Sequence, residues 1–158
     1  MIEVLILSLM VLIFSFIHEL GHFFMAKILG IKVIKFGFKI IPIPHFFITT
    51  PWIRNKKNRM MFLFAGLALI LLLFFLFLPL NFKGVELVKK ALLIQIIFDT
   101  NPFFSDLVFA MIMPLNTENN ATSFYEIYKR KYSKHKFSIS WYLHLVLWIL
   151  IPIYLIKN

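Results

Sequence analysis

The chain contains no cysteine, which excludes disulfide bonds and thiolate metal ligands. Any bound metal must therefore be held by histidine, aspartate or glutamate. Acidic residues are also scarce, with 7 Asp and Glu against 17 Lys and Arg in 158 residues. In a soluble protein this excess would suggest nucleic-acid binding, but 61% of the residues are hydrophobic and they lie in long runs. In a membrane protein, the same excess is typical of cytoplasmic loops beside anionic lipid, so we expect a lipid bilayer and no nucleic acid as partner.

Four apolar segments are long enough to cross a bilayer, which takes about 20 helical residues. We predict an all-α polytopic membrane protein whose residues 1–158 form a single intramembrane domain. The predicted spans are at about 4–30, 60–80, 87–114 and 139–156. Pro102 lies inside the third span. Because proline lacks a backbone donor and disfavours helix at the preceding residue, we expect a break there.

Two loops carry most of the positive charge. The loop at 31–59 has seven basic residues and no acid, and the loop at 115–137 is also strongly basic. The positive-inside rule places both loops in the cytoplasm and both chain termini outside. In the first loop, Ile34, Phe36 and Phe38 alternate with lysines and a glycine. This alternation predicts a short membrane-associated β-hairpin directly after the first span.

The first span contains the sequence His18-Glu19-Leu20-Gly21-His22. Residues four apart lie on the same face of a helix, so both imidazoles can point at one ion. Glu19 lies beside them, within reach of a water on that ion. Two His ligands with a neighbouring Glu are the arrangement of zinc proteases. The alternative is that these groups only form hydrogen bonds between helices, which would leave three costly polar side chains in a span without a function. About fourteen helical residues, roughly 20 Å, precede His18 in the span, which places the site nearer the cytoplasmic side.

A catalytic zinc needs a third protein ligand, because its fourth position is kept for water. Asp99 and Asp106 are the candidates within an apolar segment, and they lie on either side of the expected break. Irregular backbone at membrane depth must line a protein cavity, which makes this a suitable place for a ligand. Asp99 could instead form hydrogen bonds at the break itself.

Three short stretches resemble the site-2 protease family of intramembrane zinc metalloproteases. The stretch from Phe16 to Phe23, followed by Ala26-Lys27 and Gly30-Ile31-Lys32-Val33, is similar to the family's zinc signature. The stretch Asn101-Pro102-Phe103-Phe104-Ser105-Asp106 is similar to its second motif, in which Asp follows Asn and Pro. This stretch resembles most the second motif of the bacterial branch associated with peptide maturation and bacteriocin export. Ala65-Gly66 resembles the family's small-residue motif, which allows two helices to pack closely.

The resemblance implies a function and a role for each of these residues. His18, His22 and Asp106 would hold Zn²⁺, Glu19 would be the catalytic base, and Asn101 would position the substrate or the broken helix. The activity would be hydrolysis of membrane-embedded or membrane-associated peptides by zinc-activated water, in a bacterial plasma membrane. The hairpin would bind the extended substrate, and a peptide exporter is a possible partner.

Two other functions are compatible with the same residues. The first is a non-catalytic zinc-binding membrane subunit of a peptide maturation, export or immunity system, which Leu107 favours slightly because the family usually has Gly there. The second is a metal or proton transporter. A transporter needs polar residues across the bilayer, and the span at 60–80 contains no charge, so it ranks lowest.

Several aromatic and histidine residues have simpler interpretations. Trp141 and Trp148 flank or line the last span, as interface anchors do. His45, His135 and His144 have no histidine four residues away. We therefore expect each of these histidines to be solvated or hydrogen-bonded rather than to bind metal.

Overall fold

The computed structural model describes residues 2–40, 44–103, 105–112 and 131–157. Within those ranges the elements in chain order are α1 (Ile2–Ile28), β1 (Lys35–Lys39), β2 (His45–Thr49), α2 (Lys56–Phe77), α3 (Val85–Asp99), α4 (Asp106–Ile112) and α5 (Ile139–Lys157). Residues 131–135 are also helical. The chain forms two compact units, Met1–Ile96 and Ile97–Asn158, which are described separately below. Most of the second basic loop, residues 113–130, lies outside the described residues.

Two helices, α1 and α2, are long and apolar enough to cross a membrane. In the most apolar 18-residue stretch of each helix, only 11% of α1 and 17% of α2 is buried. A core helix of a soluble protein is mostly buried. These helices correspond to the first two predicted spans. The third predicted span is divided into α3 and α4, which confirms the break expected at Pro102. The last predicted span corresponds to α5, which is apolar over Ile139–Ile151. The arrangement of four spans stays a prediction.

Glycine ends α1 and allows it to approach α2. Gly30 has φ +66°, a left-handed conformation, and the amides of Gly30 and Ile31 bond back to the Lys27 and Ala26 carbonyls at 3.2 and 2.8 Å. This pattern is a Schellman motif, which satisfies the last carbonyls of a helix. On the α2-facing side, a Cβ on Gly21 would lie 2.6 Å from the Ala65 carbonyl oxygen. The two helices therefore meet backbone to backbone, as the small-residue motif predicted.

The start of α2 is fixed by a side-chain cap and a buried cation. The Asn55 side chain accepts a hydrogen bond from the Asn58 amide at 3.1 Å, which satisfies one of the unpaired donors of the first turn. Arg59 is buried, donates to the Ile53 carbonyl at 3.1 Å and lies over the Trp52 ring, 4.8 Å from its centroid. These contacts hold the first turns of α2, and with them the segment that faces the histidines of α1.

The predicted hairpin is present as a two-stranded antiparallel sheet in which Gly37 pairs with Phe47. Phe36 and Phe46 lie on one face, where their rings contact Phe16 of α1 at centroid distances of 5.7 and 5.1 Å. The other face carries Lys35 and Lys39, whose ammonium groups both lie over the Phe47 ring. Aromatic packing thus attaches the hairpin to the helix that carries the histidine motif.

In the second unit, the segment between α3 and α4 is held by its own side chains. The Asn101 carbonyl accepts from the Ser105 hydroxyl at 2.7 Å, and the Ser105 oxygen accepts from the Val108 amide at 3.3 Å. Ser105 is therefore the N-cap of α4, and Asp106 is the first residue of that helix.

Candidate metal centre

The structure brings the two histidines of the motif together on the buried face of α1. His18 and His22 are 7% and 4% exposed, and their Nε2 atoms lie 3.0 Å apart. Two zinc–nitrogen bonds of about 2.0–2.1 Å at a tetrahedral angle would place the nitrogens roughly 3.3 Å apart. A divalent ion therefore fits between them after a small opening of the rings. Helical periodicity alone predicted this convergence.

The carbonyl of Phe62 orients His22. His22 Nδ1 lies 2.7 Å from the Phe62 oxygen, which can only accept a hydrogen bond. The proton of the neutral ring is therefore on Nδ1, and the lone pair on Nε2 faces His18. A second hydrogen bond that fixes the tautomer and orientation of a metal-binding histidine is usual in metal sites. Phe62 thus prepares His22 to be a ligand.

Glu19 completes the cluster. One ligand atom from each of His18, Glu19 and His22 lies within 4.8 Å of the others, and Glu19 is half-buried. At this range the carboxylate could accept a proton from a water on an ion held by the two imidazoles. It also lies close enough to bind that ion itself. The cluster could therefore hold a metal ion, and it places a base beside the position of the ion.

Gly66 of α2 covers the imidazole pair. A Cβ at this position would lie 2.6 Å from His18 Nε2 and 2.7 Å from His22 Nε2. Any larger residue would thus occupy the space next to both ligand nitrogens. The Ala65-Gly66 pair therefore does more than bring the helices together, because its glycine places no side chain against the two ligand nitrogens.

The donor set suits zinc. Neutral imidazole nitrogens bind zinc readily, and the nearby carboxylate adds negative charge to balance a divalent ion. Burial of both rings limits water access, which strengthens the electrostatic attraction between the ion and its ligands. The geometry fits a divalent metal of this kind.

The third ligand predicted from the sequence belongs to the second unit. Asp106 is the half-buried first residue of α4, and Asp99 is the buried last residue of α3. The choice between Asp106 and Asp99 as ligand therefore stays a prediction. Sequence reasoning placed both residues correctly on either side of a helix break.

Asn101 is engaged within the break. Its Oδ1 accepts from the Phe103 amide at 3.0 Å, and its Nδ2 donates to the Phe98 carbonyl. The role that the resemblance implied for Asn101, positioning of the substrate or of the broken helix, stays a prediction.

Sequence reasoning did not find the Phe62 contact, because it comes from a backbone carbonyl that any residue type would supply. The spacing of residues on α2 nevertheless indicates this contact. Phe62 and Gly66 are four residues apart and therefore share one face of α2. Once Gly66 is placed against the histidines, the carbonyl one turn earlier is expected to lie beside them.

Comparison of this chain with protein-family models, curated proteins and solved structures finds no match. The interpretation of the centre therefore depends on its own residues and their geometry.

Proposed function

We propose that this protein is an intramembrane zinc metalloendopeptidase of the site-2 protease type. One observation carries the proposal: two buried imidazole nitrogens lie 3.0 Å apart beside a glutamate, on a helix long and apolar enough to cross a membrane. Polar groups at membrane depth are costly and usually functional. A metal-binding cluster with its own base would explain why His18, Glu19 and His22 all lie on this apolar helix.

The metal would be held by His18, His22 and Asp106, with Asp99 as the competing ligand. A zinc ion bound there supplies Lewis acidity and lowers the pKa of a water molecule toward neutrality. The Phe62 carbonyl keeps His22 in the tautomer that binds, and Gly66 leaves room next to both rings.

Glu19 performs the proton transfers. Its carboxylate takes a proton from the water as the water oxygen bonds to the scissile carbonyl carbon. It then delivers that proton to the amide nitrogen as the carbon–nitrogen bond breaks. This is general base followed by general acid catalysis by one group, so proton and bond counts balance over the reaction.

The substrate we propose is a membrane-embedded or membrane-associated peptide. A helical peptide must unwind before its carbonyls can be attacked, and the hairpin offers a surface for the extended form. Within the described residues the sheet has two strands, so each strand has an edge without a neighbouring strand. Such an edge can pair with an extended peptide.

The setting we propose is a bacterial plasma membrane crossed four times, with the centre nearer the cytoplasm. The basic residues of the loop between α1 and α2, together with two long exposed apolar helices, support this placement. A peptide exporter would be a natural partner of an enzyme that matures secreted peptides.

The test is Glu19→Gln, which keeps the size and polarity of the side chain and removes the base. We expect Glu19→Gln to abolish cleavage and to keep the metal, whereas His22→Ala should lose both. Glu86→Gln is the matched control, because Glu86 is exposed and paired with Lys89 at 2.9 Å on α3. The measurements are metal content of the purified protein and mass-spectrometric detection of new peptide termini in membranes of producing cells.

Two outcomes would contradict the proposal in different ways. New termini that persist with Glu19→Gln would exclude Glu19 as the base. Stoichiometric zinc with no new termini from the unaltered protein would favour the non-catalytic zinc-binding subunit.

A further inference from the structure

Three polar rings of α5 lie on one face of that helix and donate to the same short segment. Trp141, His144 and Trp148 are spaced three and four residues apart, which is the spacing of a single helical face. Trp148 Nε1 donates to the Ile97 carbonyl at 2.8 Å, and Trp141 Nε1 donates to the Pro102 carbonyl at 3.1 Å. Between them, His144 Nε2 lies 2.8 Å from the Thr100 carbonyl oxygen, which makes His144 the donor.

The three acceptor carbonyls lie near the end of α3 or just beyond it, where the helix break interrupts the regular backbone hydrogen bonding. The last carbonyls of a helix have no intrahelical donor, and α3 ends at Asp99. Unsatisfied backbone groups are costly in an apolar environment, so a broken helix at membrane depth needs donors from elsewhere. The face of α5 supplies them in reverse order along the chain, from Trp148 at Ile97 to Trp141 at Pro102. We call these three side chains the donor strip.

The donor strip is connected to Asp106 by a short series of contacts. Trp141 is 4% exposed and its ring packs edge-on against Phe103, with centroids 5.8 Å apart. The Asn101 side chain accepts from the Phe103 amide, and its carbonyl accepts from Ser105, the N-cap residue of α4. These contacts link the Pro102 carbonyl, which Trp141 contacts, to the start of α4, whose first residue is Asp106.

We propose that the donor strip of α5 positions the segment that carries Asn101 and Asp106, with Trp141 as the main positioning residue. This inference depends on the proposed function, in which Asp106 binds the metal. It gives the last helix a role in the site, beyond anchoring at a membrane interface.

The test begins with Trp141→Phe, which keeps an aromatic ring beside Phe103 and removes the shorter of two hydrogen bonds to the Pro102 carbonyl, the other being donated by the Tyr132 hydroxyl at 3.4 Å. Tyr142→Phe is the matched control, because the neighbouring Tyr142 is exposed on the same helix. The experiment uses the full chain in detergent and measures zinc affinity by competition with a chelator. We expect Trp141→Phe to weaken zinc binding by roughly three- to tenfold, the factor that corresponds to about one hydrogen bond, and Tyr142→Phe to leave it unchanged.

A second variant separates positioning from general support of the fold. In an Asp106→Ala background, Trp141→Phe should have no additional effect on zinc affinity, because the residue through which it acts is gone. Amide hydrogen exchange at Phe103 and Val108 should rise in Trp141→Phe whether or not zinc is present. If Trp141→Phe does not fold, Trp148→Phe replaces it, with a smaller effect because Ile97 is farther from Asp106 along the chain.

The outcomes are distinguishable. Unchanged exchange at Phe103 and Val108 would overturn the proposal, and so would an undiminished effect of Trp141→Phe in the Asp106→Ala background. If Asp106→Ala alone leaves zinc affinity unchanged, Asp106 is not a ligand. That result would refute the proposed third ligand and the link from the donor strip to zinc, while the exchange measurement still decides whether α5 holds the segment.

Discussion

The space next to the two imidazole Nε2 atoms is free of a side chain because the residue of α2 that lies there is glycine. Gly66 lies against both imidazole Nε2 atoms, and its Cα is close to Gly21 across the helix pair. In most helices a glycine lowers stability by roughly 1 kcal/mol relative to alanine. Gly66 lowers the helix propensity of α2 in the same way, but it also leaves space for a ligand beside the two imidazoles.

We predict that Gly66→Ala reduces zinc affinity at least tenfold. The new Cβ would lie 2.6–2.7 Å from the two ligand nitrogens, so the rings must turn away from each other or from α2. Alanine favours helix, so loss of α2 would not explain the result. Chelator competition measures the affinity and circular dichroism measures the helix content. Ala68→Gly, on an exposed position of the same helix, should leave zinc binding unchanged; full affinity in Gly66→Ala would show that the ion lies elsewhere.

At the scale of residues, the sequence predicted those parts of the centre that depend on residue type and helical spacing. His18, Glu19 and His22 are of this kind, and the structure places them together. The Phe62 carbonyl was not predictable from residue type. The expectation that His144 is hydrogen-bonded is confirmed by its contact with Thr100. The hydrogen bonds of Trp141 and Trp148 were missed, because an aromatic residue near the end of an apolar segment is also typical of an interface anchor.

The hairpin and the helix before it form one packed element pair. Its aromatic face contacts α1 through Phe16, and its lysine face is directed away from those rings. Each aromatic pair contributes about 0.5–1.5 kcal/mol beyond the area that it buries. Phe16 is two residues before His18, so the same helix positions both the hairpin and the metal ligands.

Removal of the Phe16 ring should release the hairpin from α1 and leave the metal centre in place. We expect Phe16→Ala to weaken hairpin docking by on the order of 1–3 kcal/mol, since two aromatic pairs are lost. Amide exchange of β1 and β2 should become faster, while zinc affinity should change by less than about twofold. Phe24→Ala is the control, because Phe24 is exposed on α1 and its ring contact is with the adjacent Phe23. Equal exchange in both variants would show that the hairpin is held by other contacts.

Two features at the scale of elements followed directly from the sequence. Pro102 predicted the break, and the alternation of lysine with phenylalanine predicted both the hairpin and the residues of each face. The strand begins at Lys35, one residue after the start of the alternation at Ile34. The Schellman motif at Gly30 directs the chain away from α1 first, and the intervening residues form that connection.

On the scale of the whole molecule, the exposed apolar surface is the main feature. The large exposed side chains on α1 and α2 include Leu5, Leu9, Leu72, Phe75 and Leu76. Many large exposed apolar side chains on two long helices are expected where lipid replaces water as the solvent. Hydropathy located the two long helices correctly. It could not show that the apolar run at 87–114 is divided into two shorter helices, because hydropathy does not register where the backbone leaves the helix.

The stability of the protein should depend on pH through His135. Partial burial, followed by the charge of His144, lowers the pKa of His135 below its usual 6.5. Between that lowered pKa and 6.5, the unfolded chain binds more protons than the folded one. The free energy of unfolding therefore falls as pH decreases below about 6.5 and is fully recovered above it.

His135→Gln tests this dependence. Thermal unfolding in detergent should show a larger decrease in Tm between pH 7.5 and 5.5 for the unaltered protein than for the variant. The comparison reports the titration of His135 together with its charge interaction with His144, because His135→Gln removes both. The histidines outside this pair are common to both proteins. Parallel pH profiles would show that His135 titrates alike in the folded and unfolded states.

The hydrogen bond from His22 to the Phe62 carbonyl joins α1 to α2, and it does so through a ring that also faces the ion site. Occupancy of the site and association of these two helices are therefore thermodynamically linked. An ion at a hundred times its dissociation constant adds about 2.7 kcal/mol to the folded state. Part of this free energy favours the paired helices over separated ones. A bound ion would thus stabilise the pairing of α1 and α2, and removal of the ion would weaken that pairing.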